Sequence, residues 1–88
     1  MRYYVYMLEC ADGTFYIGST NNLIKRMHAH NAWKSGAHYT KIRRPVVLKY
    51  RETHKTKCKA LVREHALKQL TKKEKLKLVT LGAVKNTL

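Results

Sequence analysis

The feature that most constrains this chain is the run Tyr4-Val-Tyr-Met-Leu-Glu-Cys-Ala-Asp-Gly-Thr-Phe-Tyr-Ile-Gly18. Residues 3–10 alternate, with Tyr4, Tyr6, Leu8 and Cys10 on one side and Tyr3, Val5, Met7 and Glu9 on the other. Aromatic and β-branched residues at period two predict a strand. Ala11-Asp12-Gly13 is a turn, and Thr14–Ile17 begins a return strand that Gly18 ends. Two turns are open. A two-residue type I′ turn at Asp12-Gly13 makes paired residue numbers sum to about 25 and puts Tyr6 and Tyr16 on opposite faces. A three-residue loop with Gly13 in the left-handed region makes the sum about 24 and puts both tyrosines on one face.

Beyond the hairpin, Ser19, Thr20 and Asn21 offer N-caps for a helix over 22–30, carried by Leu23 and Met27 and closed by Asn31. Pro45–Tyr50 predicts a third strand, with proline at its tolerant first position and Glu52 just beyond it. Residues 57–70 predict a second helix. Thr71-Lys-Lys-Glu74 is a capping box that starts a third, stopped by Gly82. The expected fold is α/β (α+β), a three-stranded antiparallel sheet flanked by helices in the order ββαβαα. One domain spans 1–82, and 83–88 form a loose tail. With 88 residues there is one modest core and no second lobe.

Nineteen Lys+Arg against five Asp+Glu leave a net charge of +14. That excess predicts a polyanionic partner, nucleic acid first. A membrane surface is disfavoured, because no basic helix carries a Trp/Phe/Leu face. No signal peptide is apparent at the start, and no window approaches the roughly 18 apolar residues of a span, so a cytoplasmic protein is expected. Cys10 and Cys58 form no CxxC pair and are expected to be buried thiols.

Glu64 stands out among the acids. Ala60 and Leu67 lie on its helical face, so its carboxylate borders an apolar stripe and needs a partner. An arginine ion pair is one reading; a Mg²⁺ ligand is the other, since Mg²⁺ takes one or two carboxylates and fills its sphere with water and phosphate oxygens. Arg26 and His30 are four residues apart and project side by side. They read either as solvated cations or as a phosphate-holding arginine with a histidine beside it. The tyrosines have an ordinary role too, since tyrosine suits a half-buried strand. His28 and His30, two apart, diverge around a helix and make a poor zinc pair.

Together, Tyr4-Val-Tyr6, Tyr16-Ile-Gly18, Arg26, His30 and Glu64 resemble the GIY-YIG nuclease domain, in its small single-domain bacterial branch. The first motif is relaxed to YVY; the second is intact. The resemblance implies that Tyr6 and Tyr16 face the scissile phosphate, and that one of them, or a water it orients, is the base. It implies that Arg26 stabilises charge, His30 assists proton transfer, and Glu64 holds one divalent ion, Mg²⁺ or Mn²⁺. It also selects the three-residue turn. A tyrosine base needs nearby positive charge to lower its pKa, and Arg26, Lys25 and the divalent ion would provide it. Ser19 departs from repair relatives, which often carry lysine there. The implied activity is hydrolysis of DNA phosphodiesters, in branched or damaged DNA, without a small-molecule cofactor. Affinity would come from Lys25, Lys34, Lys41, Arg43, Arg44 and Lys49. The alternatives are a non-catalytic DNA- or RNA-binding module on the same fold and a protein-interaction domain in a repair or ribosomal assembly.

Overall fold

The computed structural model describes residues 2–32 and 42–82. The elements are β1 (Tyr3–Glu9), β2 (Phe15–Thr20), α1 (Leu23–Ala32), β3 (Val47–His54), α2 (Lys57–Lys68) and α3 (Lys72–Gly82). The order is ββαβαα, and the antiparallel sheet runs β2-β1-β3.

The turn is the three-residue one. Tyr6 pairs with Gly18 and Leu8 with Tyr16. Gly13 has φ 83°, in the left-handed region that a side chain disfavours. Asp12 holds the loop through the Thr14 N–H and hydroxyl, at 3.1 and 2.6 Å.

The alternation of β1 divides the core as its sequence predicts. Tyr6, Leu8 and Cys10 pack with Leu23, Val46, Tyr16 and Met27, so α1 covers that face. Val5, Met7 and Ile17 pack with Ala60 and Leu67 of α2 and with Leu78 and Val79 of α3. The sheet is therefore sandwiched, with β1 at its centre and buried on both sides.

Several boundaries differ from the sequence reading. β2 continues through Gly18 to Thr20, because β1 supplies Val5 and Tyr4 as partners for Ser19 and Thr20. The third strand is Val47–His54 rather than Pro45–Tyr50. Pro45 has no N–H to donate, and the Asn31 side chain takes both backbone groups of Val46, accepting from its N–H at 2.8 Å and donating to its carbonyl at 3.1 Å. Asn31 thus ties α1 to β3 instead of closing the helix, which runs on to Ala32. Glu52 lies inside β3, where it accepts from the Tyr50 hydroxyl at 2.6 Å and from Arg63 Nε at 2.7 Å. The second helix stops at Lys68, two residues early, and Thr71 and Glu74 then form the expected capping box at 3.2 and 2.8 Å. Cys10 is buried as expected, but Cys58 is exposed on α2, on the side away from the sheet.

Candidate active site

Asn22 caps α1, its side-chain oxygen accepting from the Lys25 N–H at 3.1 Å. That start fixes the helical phase, so Arg26 and His30, one turn apart, both descend toward the tyrosine face of the sheet. His30 is completely buried and Tyr6 is 1% exposed. The Tyr6 hydroxyl and His30 Nε2 are 2.8 Å apart. Arg26 hydrogen-bonds both Tyr6 and Tyr16. The Tyr16 ring meets His30 edge-on, with centroids 5.1 Å apart, and lies 6.5 Å from the ring of Tyr6. Tyr6, Tyr16, Arg26 and His30 are thus one cluster.

The donors and acceptors order it. A guanidinium only donates, so the Tyr6 oxygen accepts from Arg26. Its single proton is then available to His30 Nε2. Burial pushes the Tyr6 phenol up to about 12, against the lowering effect of Arg26, and the charge of Glu64 adds to the rise. Arg26 alone therefore does not lower the Tyr6 phenol: loss of hydration outweighs the arginine. Burial, with the charges of Arg26 and Arg44, pushes His30 down to about 4. Both groups are neutral near pH 7.

His30 carries a stability prediction. Its folded pKa, about 4, lies below its ordinary 6.5. Between those values the unfolded chain binds a proton that the native state refuses. Stability is thus full above pH 6.5 and is lost as pH falls toward 4, by about 3 kcal/mol from this group. Urea denaturation of wild type and His30→Gln across this window should give a shallower acid loss for the variant. Parallel curves would contradict it.

Glu64 comes from α2, on the other side of the sheet edge. Its carboxylate accepts from Lys68 Nζ at 2.8 Å, so the partner is a lysine one turn on, not an arginine. Ser19, the position that departs from repair relatives, also hydrogen-bonds it. Burial opposes ionisation, but Lys68 and Ser19 outweigh it and hold the carboxyl below its ordinary range. An ionised, part-buried carboxylate beside a hydroxyl is a hard-oxygen donor set that fits Mg²⁺ or Mn²⁺. Among the described residues no three His, Cys, Asp or Glu side chains gather. Water and phosphate oxygens would therefore complete the sphere around Glu64.

The predicted basic surface divides. Arg43 donates from Nε to Asp12 at 2.9 Å, fastening the hairpin turn. Arg44 donates to the carbonyls of His30 and Ala29, at 2.5 and 3.0 Å, and so caps the C-terminal end of α1 beneath the cluster. Lys49 lies 3.8 Å from Glu9. Lys25 is exposed in the first turn of α1. Lys34 and Lys41 lie outside the described residues. The sequence reading missed two residues: Ser19 as a partner of Glu64, and Arg51, which pairs with Tyr6 across β1 and β3. The hairpin register could have found the first, since it sets Ser19 on the α2 face with Val5.

These elements and this cluster define a known class. The chain belongs to the GIY-YIG catalytic domain family, whose model matches residues 2–77. The family is one of nucleases. More narrowly, its relatives are small bacterial UPF0213 proteins. The UPF0213 protein DP2720 of Desulfotalea psychrophila is 48% identical over 77 residues, 88% of this chain and 70% of that protein. The UPF0213 protein SERP0126 of Staphylococcus epidermidis is 46% identical over 81 residues, 92% of this chain and 98% of that one. The solution NMR structure of the UPF0213 protein BH0048 from Bacillus halodurans is 38% identical, with a TM-score of 0.59 over 92% of this chain and 85% of its own. No helix among the described residues is long and apolar enough to cross a membrane.

Proposed function

We propose that this chain is a divalent-metal-dependent endonuclease that hydrolyses DNA phosphodiester bonds, with branched or damaged DNA as the preferred form. The observation that carries this reading is the buried Tyr6–His30 hydrogen bond, with Arg26 on the same phenol oxygen. An apolar pair would fill the same space under α1 without the cost of burying a phenol and an imidazole.

The roles follow from the proton count. Water attacks phosphorus, the P–O bond to the leaving oxygen breaks with its electron pair on that oxygen, and the water proton goes to the Tyr6 oxygen as that phenol passes its own to His30 Nε2. Neither a free phenolate nor a free hydroxide need form, which suits a phenol held near 12. Arg26 holds a phosphate oxygen and neutralises charge in the transition state. Tyr16, bonded to Arg26, orients the arginine and the water. Glu64 would hold the ion, which when bound would supply charge neutralisation at the leaving oxygen. Lys25 and Lys49 add attraction to the backbone that depends on salt more than on sequence.

The test is incubation with Mg²⁺ or Mn²⁺ and a panel of duplex, flap and junction DNAs, beside Glu64→Ala. Cleavage that Glu64→Ala abolishes is the expected result. No cleavage of any substrate, or equal cleavage by the variant, rejects the reading and leaves a binding module on a nuclease fold.

A further inference from the structure

Arg51 of β3 pairs directly with Tyr6 of β1, on the same face of the sheet. It is the only described residue with a buried side-chain nitrogen or oxygen atom lacking a hydrogen-bond partner: its Nε is enclosed and unpaired. Buried polar groups are almost always satisfied, so such an atom calls for an explanation. Arg51 also lines a cavity of about 240 Å³ with Tyr4, Asn21, Asn22, Leu23 and Ile24. That lining offers a guanidinium, two side-chain amides and a phenol. It includes no carboxylate to neutralise the arginine. A cavity lined by an arginine and two asparagines suits an anion, and a guanidinium suits two oxygens of one phosphate.

We propose that this cavity is a phosphate subsite for a nucleic acid strand, a reading that rests on the proposed nuclease function. It would take a backbone phosphate flanking the one at Tyr6. Tyr4 and Tyr6 are two residues apart on one face of β1, a separation of roughly 7 Å. A nucleic acid strand advances about 3.4 Å along its axis per nucleotide. The cavity therefore lies about one or two nucleotides from the reacting phosphate. Arg51 fixes the register of the strand on the protein, so that Arg26 meets one particular phosphate. It is a binding residue for the backbone and carries no base preference.

The experiment uses the full chain, without divalent metal, and a labelled short DNA duplex. Arg51→Met keeps the aliphatic stem and removes the donors. It should bind roughly tenfold more weakly, and its plot of log affinity against log salt should be shallower by about 0.9. Arg51→Lys should keep the wild-type slope. In the wild-type protein, the Arg51 Nε–H NMR signal should shift saturably on titration with inorganic phosphate. If Arg51→Met binds the duplex with wild-type affinity and slope, the subsite is wrong and the nuclease reading survives. If the wild type binds neither duplex nor junction DNA, the nucleic acid subsite falls together with the nuclease reading, even where phosphate still moves the Arg51 signal. Should Arg51→Met fail to fold, an Arg51 signal that stays fixed under phosphate overturns the proposal by itself.

Discussion

Tyr6→Phe is expected to lower the single-turnover cleavage rate by about 10²- to 10⁴-fold, the usual worth of a positioned proton-transfer group. It should leave DNA affinity within about threefold of wild type, because only one buried hydroxyl is lost and no contact with the backbone. The ring stays in place: its packing against Leu8 and Leu23 and its edge contact with His30 do not need the hydroxyl. Stability should fall by about 1–3 kcal/mol, since His30 Nε2 is left buried and unpaired. The pH profile separates a relay from a phenolate base. With Tyr6 near 12 and His30 near 4, a relay loses activity only as His30 gains a proton in acid. A phenolate base would instead gain activity about tenfold per pH unit through the neutral range. A Tyr6→Phe enzyme that cleaves within threefold of wild type would remove Tyr6 from the chemistry.

The hairpin shows how much of the site the sequence carried. Alternation placed Tyr6 with Leu8 and Cys10, and helical spacing placed Arg26 with His30. What spacing left open was the turn, because Asp-Gly suits two registers that differ by one residue. The bulged loop at Gly13 settles it and puts Tyr6 opposite Gly18. The rest was hidden for physical reasons. Arg51, Glu52 and His54 break the apolar signature of a strand, and only the last two are paired laterally: Glu52 gathers Tyr50, His54 and Arg63. Arg43 and Arg44 also fasten a turn and cap a helix, which charge alone does not reveal. Burial of Tyr6 outweighs the lowering of its pKa by Arg26, and burial is a tertiary quantity.

Gly18→Ala should be among the most damaging single changes in the chain. Gly18 does not have the backbone conformation that demands glycine, as Gly13 does. Its constraint is space. A Cβ there would stand 2.6 Å from the Tyr6 hydroxyl oxygen, 2.8 Å from Tyr6 Cζ and 3.2 Å from Tyr16 Cε2. Contacts below 3 Å require something to move, and the phenol is held by His30 and Arg26. Overpacking of this kind costs about 1–3 kcal/mol, or a fall in Tm of roughly 5–20 °C for a domain of this size. Cleavage should fall by about 10²-fold in addition, because a displacement on the order of 1 Å misaligns a catalytic group. A double-mutant cycle locates the clash. In a Tyr6→Phe background the nearest atom is gone, so adding Gly18→Ala should cost less than it does in the wild type, by about 1 kcal/mol. Equal costs in the two backgrounds would mean that the phenol is not what excludes a side chain at residue 18. The glycine of the second motif would then need another reason than the tyrosine of the first.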